Sequence, residues 1–561
     1  MRKPILWRDL MSMSKTLQKE LSWKPLADSG QAQKLTGRLL AGHLYEEFGS
    51  TDCHLPPPTP KTINTLLLAD KQKPEQGAVK LAMTSLNKSL FRQQKTLYWT
   101  AEGQKQHALI FGSTGAGLTE TMLATAVNAF ESGQSVFFMD AKGDNSLYAK
   151  VFSHLQRSES LADLVVINLM TGGGEVVRNS KTSHTLDLFG DMNTHELTQW
   201  LGFVCDGVFH ASPREERSEL NTLLPYLAAV ICSVSDDTGK PIDLSLIASV
   251  FAQSGLEDIS KNLRNAPFAH LAGQICARVW AGTGRERIQE KFSTLHAHLT
   301  GMASAYSYVF APQAELCLPD LSEGGRKFVL VLCPSMTRCP DEHWTTTSCI
   351  LASYLTHVAK KSSIENVVEE MALFNSFSFL MTGNQFARFA QMRGKNVGMV
   401  FSGEDNSHLL TFDQLRRARL LPPTTVLMKI ERDQLSAEVA QHFNSTHANG
   451  TLTLKGLAEQ RLGHAVFMGK EHCLPVVMDY RASKVVHKLF ITQLPLKDGK
   501  TSPPPARLYA KIPKESMELV LMDRINEVGR QGEFSLSWCQ ETIARMLGYS
   551  NLHEAKRQIK S

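Results

Sequence analysis

The sequence predicts an α/β fold in which a mainly parallel β-sheet carries an all-α insertion and is followed by a helical tail. From about Leu97, short apolar runs alternate with segments of helical spacing, which is typical of parallel strands joined by crossovers. Between about Asn193 and Thr300 the strand pattern disappears and helical segments follow one another. The strand pattern returns at Phe328, so two separate parts of the chain are expected to build the sheet.

Several apolar runs have the length and composition of strands. They are ALIF directly before Gly112, SVFFMD (Ser135–Asp140), LVVIN (Leu164–Asn168), FVLVLCP (Phe328–Pro334), MALF (Met371–Phe374), VGMVFSG (Val397–Gly403) and TTVLMKI (Thr424–Ile430). Helical spacing is found in TETMLATAVNAFESG, in NSLYAKVFSHLQRS and, inside the insertion, in HELTQWLGFVCDGVF, SELNTLLPYLAAVICSV and DLSLIASVFAQSG. The strands and the first two helices alternate, as a parallel sheet requires.

Changes in composition divide the chain into six segments. They are a helical segment that ends in the Pro-rich LPPPTP (1–60), the first part of the α/β domain (61–192), the all-α insertion (193–305), the second part of the α/β domain (306–482), a linker containing SPPPAR (483–512) and a helical tail (513–561). The apolar positions of the tail fit a helix with one apolar face, which predicts packing on a partner or on its own domain.

Size and composition indicate a large folded protein and argue against a zinc-binding or membrane-spanning one. The 561 residues, 42% of them hydrophobic, exceed the usual single domain and can bury a large core. The net charge of +5 permits a DNA partner but does not imply one. The 10 cysteines form no CxxC pair and no zinc-ligand spacing, which favours reduced thiols in the cytoplasm. The longest apolar runs are shorter than the roughly 20 residues of a spanning helix, so no membrane crossing is expected.

A glycine-rich loop is the main candidate for a binding site. GSTGAGLT (Gly112–Thr119) follows a strand and opens a helix, where backbone N–H groups and the positive helix end face an anion. It matches GxxxxGK[ST] except that Leu118 stands in place of Lys. The loop is therefore a candidate site for ATP, with Thr119 as the ligand if magnesium binds, and its alternative interpretation is a tight glycine turn with a packing role. The predicted binding residues are Gly112, Ser113, Thr114, Gly115, Ala116, Gly117, Leu118, Thr119 and Glu120.

The loss of the lysine predicts weak catalysis. That lysine normally reaches the β- and γ-phosphates, where negative charge accumulates in the transition state. Removing one such contact is expected to slow hydrolysis by about 10² to 10³, by analogy with removed oxyanion donors. DAKGD (Asp140–Asp144) follows the next strand, and its Lys142 has two interpretations. It is either a replacement cation for the phosphates or a lysine at the surface or in a subunit contact.

Four segments carry a resemblance to a known family. ALIFGSTGAGLTE, FFMDAKGDNSLYAKVF, LVVINLMTGG and KFVLVLCPSMTRCPDE resemble, in order and spacing, the TraD/TraG-like coupling proteins of type IV secretion and conjugation, in particular the DotL and TrbC branch. The resemblance extends from about Leu97 to Tyr480. It implies a RecA-like P-loop NTPase domain with an all-α insertion after LDLFGDMN, and a tendency to form homo- or hetero-hexameric rings.

The family's second nucleotide motif is an apolar strand that ends in Asp-Glu, and two registers are open. Alignment of QMRGKNVGMVFSGED (Gln391–Asp405) with its counterpart in the family makes MALF the strand and places Asn375 and Ser376 at the acidic pair. The other register uses Glu369 and Glu370, preceded by only two apolar residues. The first is favoured because four apolar residues make a strand and two do not. In that register both carboxylates are missing.

Two further positions follow from the resemblance. Glu404 stands where the family carries a Gln that senses the γ-phosphate, which places an anion beside an anion. Arg393 matches the family's Arg before the same strand, which in a ring could serve a neighbour's nucleotide as an arginine finger. Its alternative interpretation is a solvated arginine at a helix end. The residues of the catalytic machinery are thus expected to be degenerate.

The resemblance predicts a subunit of a type IV secretion or conjugation system that recruits or organises relaxosome DNA or protein at the channel, with little or no ATP hydrolysis. The alternative is an active ATP-driven translocase that compensates for Leu118, and a third hypothesis is ATP as a structural ligand without turnover. Expected partners are other proteins of these systems, including an active coupling ATPase or a relaxase, and single-stranded DNA. The expected location is the cytoplasm or, through partners, the inner membrane.

Overall fold

The computed structural model describes residues 66–478 except 70–77, 85–95, 143–144, 171–182, 213, 282–284, 312–313, 322–324, 335, 337–338, 362–367, 405–414, 416–419, 432–457, 459, 461–462 and 469–472. The predicted N-terminal helical segment, the linker at 483–512 and the tail at 513–561 lie outside the described residues, as do Gly143 and Asp144. The predicted α/β class with a mainly parallel sheet is confirmed. The boundaries of the six segments stay predictions.

The described residues form fourteen strands in two sheets. The strands are β1 (Leu66–Ala69), β2 (Val79–Thr84), β3 (Thr96–Trp99), β4 (Ala108–Gly112), β5 (Ser135–Asp140), β6 (Leu164–Asn168), β7 (Leu186–Asp187), β8 (Leu316–Cys317), β9 (Phe328–Leu332), β10 (Glu370–Asn375), β11 (Val397–Glu404), β12 (Thr424–Leu427), β13 (His464–Met468) and β14 (Cys473–Met478). The large sheet has the order β1-β3-β2-β14-β13-β12-β4-β11-β10-β5-β9-β6, and β7 pairs with β8 separately.

The predicted strands form the parallel half of the large sheet. From β12 to β6 the neighbours β12, β4, β11, β10, β5, β9 and β6 all run parallel. From β12 to β1 the remaining five strands pair antiparallel, and none of them was predicted from the sequence. β14 contains Pro475, a residue that argues against a central strand. It is tolerated because Pro475 pairs with Val466 of β13 but lies outside the β2 register, which begins at Val476.

Eleven α-helices are found in the described residues. They are α1 (Ala101–Lys105), α2 (Leu118–Glu131), α3 (Asn145–Arg157), α4 (Thr194–Val208), α5 (Arg214–Thr238), α6 (Leu244–Ser249), α7 (Gln253–Asn262), α8 (Ala266–Trp280), α9 (Glu286–Ala305), α10 (Pro340–Lys360) and α11 (Gly383–Ala390). The insertion comprises α4 to α9, between β7 and β8. The predicted helix in DLSLIASVFAQSG is two helices, since α6 ends before Val250. Over these ranges, no helix combines the length and the apolarity that a membrane span needs.

Alternate residues of the parallel strands enter two apolar clusters, because successive side chains of a strand point to opposite faces. Ile110 and Phe138 belong to the cluster that contains α2 and α3. Leu109 and Phe137 belong to the larger cluster, which also contains α10, α11 and the core of the insertion. The loop helix α2 and the insertion therefore cover different faces of the same sheet.

Gly207 lies where α4 packs against α10, and we expect that it tolerates no side chain. A Cβ there would collide with Ser348 Oγ and lie 2.8 Å from Gln385 Nε2. Gly207→Ala is therefore expected to lower the free energy of unfolding by about 1–3 kcal/mol. Gly301→Ala in α9 is the matched control, since no atom lies within 4 Å of the added Cβ, and it is expected to stabilise by about 0.5–1 kcal/mol. Urea unfolding of both variants tests this, and equal midpoints would contradict it.

Candidate nucleotide site

The glycine-rich loop joins the end of β4 to the start of α2, as predicted. Gly117 is the N-cap residue of α2 and adopts a left-handed conformation with φ 97°, which glycine reaches without steric cost. Gly112 is crowded in a different way, since a Cβ there would lie 3.0 Å from Met428 Cβ. The backbone of the loop therefore depends on glycine at its beginning and at its end.

Ser113 anchors the loop to the chain that follows β12. Its N–H donates to the carbonyl of Lys429 at 2.8 Å. Its Oγ accepts a hydrogen bond from the N–H of Glu431, also at 2.8 Å. The N–H of Ala116 donates back to the Ser113 carbonyl at 3.0 Å and closes the turn. The conformation of the glycine-rich loop is thus held by hydrogen bonds within the chain.

Leu118 is buried, with 5% of its surface exposed. It belongs to the apolar cluster that contains Ala116, Met122 and Met428. A leucine at this position gains from burial, whereas an ammonium group would have to leave the cluster or lose its hydration. Leucine in place of lysine therefore has two effects. It removes a charge from the loop, and it adds an apolar side chain to the buried cluster.

A hydrogen-bonded group of side chains lies at the carboxyl ends of β5, β10 and β11. Asn375 Nδ2 donates to Asp140 Oδ1 at 2.7 Å and to Thr119 Oγ1 at 3.3 Å. Ser402 Oγ donates to Asn375 Oδ1 at 2.8 Å and accepts from the N–H of Ser376 at 3.1 Å. Asn375, Ser376 and Thr119, all named from the sequence, are thus brought together. Asp140 and Ser402 were not named as site residues.

The two registers of the acidic motif lie at opposite ends of β10. Asn375 ends the strand beside the loop, whereas Glu370 begins it. Five residues of strand separate them by about 17 Å. Glu370 is instead buried with Tyr354 and His357, whose side chains lie 2.6 and 2.8 Å from its carboxylate oxygens. Glu369 and Glu370 therefore do not reach the glycine-rich loop within this chain.

Glu404 lies beside the loop and binds two of its neighbours. Its Oε2 accepts a hydrogen bond from Thr114 Oγ1 at 2.8 Å, and its Oε1 lies 2.8 Å from Lys142 Nζ. The structure places the Lys142 ammonium group in an ion pair within the chain, with its side chain 40% exposed, and both interpretations of this lysine stay predictions. At the helix start, Glu120 forms an ion pair with Lys150 of α3.

Arg393 lies at the opposite edge of the sheet. It precedes β11, whose other end carries Glu404 about 25 Å along the strand. Its guanidinium donates to the carbonyl of Leu421 at 3.1 Å and to that of Leu420 at 3.4 Å. Burial lowers the pKa of Arg393 from its ordinary value. The structure therefore separates Arg393 from the other predicted site residues of this chain.

The glycine-rich loop has several features that suit a phosphate group. Its backbone conformation, the N-terminus of the 14-residue α2 and the hydroxyls of Thr114 and Thr119 suit an anion and a magnesium ion. Leu118 adds no charge to the loop, and the side chain of Glu404 brings a carboxylate to it. Asp140 is the acid that contacts Asn375 at this end of the strands. Its position at the end of the strand after the loop is the signal that could have identified it from sequence.

Comparison with known proteins gives one curated relative. No family model matches the chain. The type 4 coupling protein DotL of Legionella pneumophila is 27% identical over an alignment of 274 residues, and the match covers 44% of this chain and 35% of DotL. The match thus spans about a third of the length of DotL.

Solved structures with a similar fold include coupling proteins at low identity. The plasmid coupling protein TrwB in complex with ADP and Mg²⁺ has a TM-score of 0.48 at 11% identity, covering 70% of this chain and 88% of TrwB. The unbound monoclinic form of TrwB has a TM-score of 0.47 at 11% identity, over 67% and 86% of the two chains. VirB4 of Thermoanaerobacter pseudethanolicus has 0.40 at 12% identity, over 67% and 90%. The sequence match to DotL bears out the predicted resemblance, and the chain is related to the type IV coupling proteins.

Proposed function

We propose that this chain is a coupling-protein subunit of a type IV secretion or conjugative transfer system that recruits or organises substrate, relaxosome DNA or protein, with little or no ATP hydrolysis. The relationship to DotL supports the pathway. The loss of charge at the phosphate loop supports the absence of turnover. The protein then contributes the shape and the contacts of a coupling protein, while an active homologue supplies the energy.

One observation carries the proposal: the carboxylate of Glu404 lies in hydrogen-bonding contact with Thr114 of the loop. A γ-phosphate at the loop would meet this negative charge, and Leu118 provides no cation against it. Asn375 replaces the carboxylate that holds magnesium through water. Each difference opposes the same reaction by a separate physical route, because phosphoryl transfer depends on positioning and on neutralising charge.

Lys142 favours a second candidate, an active ATP-driven translocase. Its ammonium group lies 2.8 Å from Glu404 Oε1 and thus close to the loop. If a nucleotide drew Lys142 away from Glu404, the loop would regain a cation from a different segment of the chain. In this alternative Arg393 of one subunit serves the nucleotide of its neighbour.

ATP with magnesium is the cofactor that the loop would take, as a structural ligand in the principal proposal. Thr119 would hold magnesium. Asp140, which accepts a hydrogen bond from the same Asn375 amide group as Thr119, would orient the water around the ion. The proposed partners are an active coupling ATPase, a relaxase or channel proteins, with single-stranded DNA as a further ligand and a hexameric ring as the assembly. We place the protein in the cytoplasm or at the inner membrane through these partners.

Purification from the host, followed by identification of associated proteins and measurement of ATP turnover, tests the proposal. We expect a coupling ATPase, a relaxase or a channel protein in the preparation, and no turnover by the separated chain above that of a Thr119→Ala control. The control removes the magnesium hydroxyl, so a measurable rate that is equal in both proteins comes from a contaminating ATPase and not from this chain. Turnover of about 1 s⁻¹ or more that is lost in Thr119→Ala would support the translocase instead.

A further inference from the structure

We propose that Glu404 acts as an internal latch on the phosphate loop. Its carboxylate binds the groups that the terminal phosphate of a nucleotide would otherwise contact. This inference rests on the proposed identification of Gly112–Glu120 as a phosphate loop. It adds a way in which that loop is regulated. In the free protein, the anion bound at the loop is the carboxylate of Glu404.

Both carboxylate oxygens of Glu404 are engaged. One accepts from Thr114 Oγ1 at 2.8 Å, and the other lies 2.8 Å from Lys142 Nζ. The Glu404 side chain is 11% exposed, whereas that of Lys142 is 40% exposed. A contact in which one partner is largely excluded from water is stronger than a surface ion pair. The carboxylate thus joins the glycine-rich loop to the segment that follows β5.

The sheet fixes the position of this carboxylate. β11 pairs parallel with β4, and Glu404 is the register partner of Gly112, the first residue of the loop. Glu404 is also the last residue of β11, so its backbone is held by the ladder up to the point of contact. The carboxylate of the latch is therefore attached to a strand and not to a loop.

A carboxylate can replace a phosphate oxygen because both are anions that accept hydrogen bonds from hydroxyls, ammonium groups and helix N-termini. An incoming phosphate would compete with Glu404 for Thr114 and Lys142 and would repel it as a like charge. Displacement of Glu404 would release Lys142, which then becomes the cation that Leu118 does not supply. The ligand class that opens the latch is thus a polyphosphate such as ATP.

Glu404→Gln tests the latch, because it keeps the shape of the side chain and removes its charge. We expect the full chain with Glu404→Gln to bind labelled ATP at least about tenfold more tightly than the wild type in equilibrium binding. Glu131→Gln is the matched control. It makes the same charge change at the far, exposed end of the 14-residue α2, about 20 Å from the loop, and is expected to leave ATP affinity unchanged.

Lys142→Met tests whether the lysine is held by Glu404 in the wild type. In the wild type, removal of the lysine deletes its ion pair with Glu404 in the free protein and its phosphate contact in the complex, so the two losses offset and ATP affinity is expected to change less than about twofold. In the Glu404→Gln background the lysine is free for phosphate, and its removal is expected to weaken binding by about tenfold. Equal effects in both backgrounds would show that Glu404 and Lys142 act independently and would overturn the latch.

Hydrogen exchange of the loop gives a readout that needs no ligand. If the latch holds the loop, the amides of residues 113–117 are expected to exchange at least about tenfold faster in Glu404→Gln than in the wild type or in Glu131→Gln. Unchanged exchange, or unchanged ATP affinity, would overturn the inference. The proposed function fails on a different result, brisk turnover by the wild-type chain, so the two failures can be told apart.

Discussion

Leu118→Lys alone is expected to leave ATP turnover no higher than in the wild type. The restored cation would still face the anion of Glu404, and Asn375 and Ser376 would still lack the carboxylates that hold magnesium and polarise water. The four-site variant Leu118→Lys, Asn375→Asp, Ser376→Glu and Glu404→Gln is expected to raise turnover by about 10² or more, because each change restores a separate part of the same step. Steady-state phosphate release measures both variants.

Two controls keep this experiment interpretable. Leu118→Met changes the same buried position without a charge and reports what repacking alone does to the fold. Thr119→Ala added to the four-site variant removes the hydroxyl for magnesium and should abolish the gain. A large gain from Leu118→Lys by itself would contradict the proposal, since it would show that the rest of the site is competent.

Glu370→Ala is expected to lower the free energy of unfolding by about 3–5 kcal/mol, because it removes one partner from a buried, hydrogen-bonded group of side chains. Glu370 is 1% exposed and 2.8 Å from His357 Nε2, and it accepts a hydrogen bond from Tyr354. Its removal leaves both partners buried without their acceptor. Glu369→Ala is the matched control, because Glu369 is 49% exposed in its ion pair with Lys361. The control should cost less than about 1 kcal/mol.

The same carboxyl group predicts a dependence on pH. Burial raises the pKa of Glu370, but the charge of His357, hydrogen bonds from His357 and Tyr354 and the charge of Lys361 together hold it below its ordinary value. A depressed carboxyl pKa stabilises the folded state above the unfolded pKa of about 4.3 and loses that contribution as the pH falls through the folded pKa. The stability difference between wild type and Glu370→Gln should therefore shrink below about pH 4 in urea unfolding. A difference that stays constant with pH would contradict this.

The strands that are buried on both faces could be read from the sequence. SVFFMD and LVVIN match β5 and β6 residue for residue, because such strands are continuous apolar runs. The antiparallel strands could not be read in this way, since β3 has only four residues and β14 contains Pro475. TTVLMKI was predicted to extend to Ile430, but β12 ends at Leu427 and the next residues bind the loop instead.

The contacts of the candidate site needed the structure. The loop and the positions Asn375, Ser376 and Glu404 were found by comparison with motifs, yet Thr114 and Glu404 are 290 residues apart in the chain. Their contact depends on the pairing of β4 with β11, which a motif does not encode. Lys142 was left with two interpretations for the same reason, because its partner is set by the order of the strands. Arg393 matched the family by sequence but lies at the opposite edge of the sheet.

The helical insertion and the sheet share one apolar cluster, so mutations in one are expected to affect the other. Phe203 of α4 and Phe389 of α11 stack edge to face, 5.9 Å apart, inside the apolar cluster that also holds Phe374 of β10. An altered side chain in the insertion is therefore one packing layer away from the strand that ends at Asn375. Substitutions of Phe203 and Phe374 are therefore expected to have non-additive effects on stability, because both rings pack on Phe389.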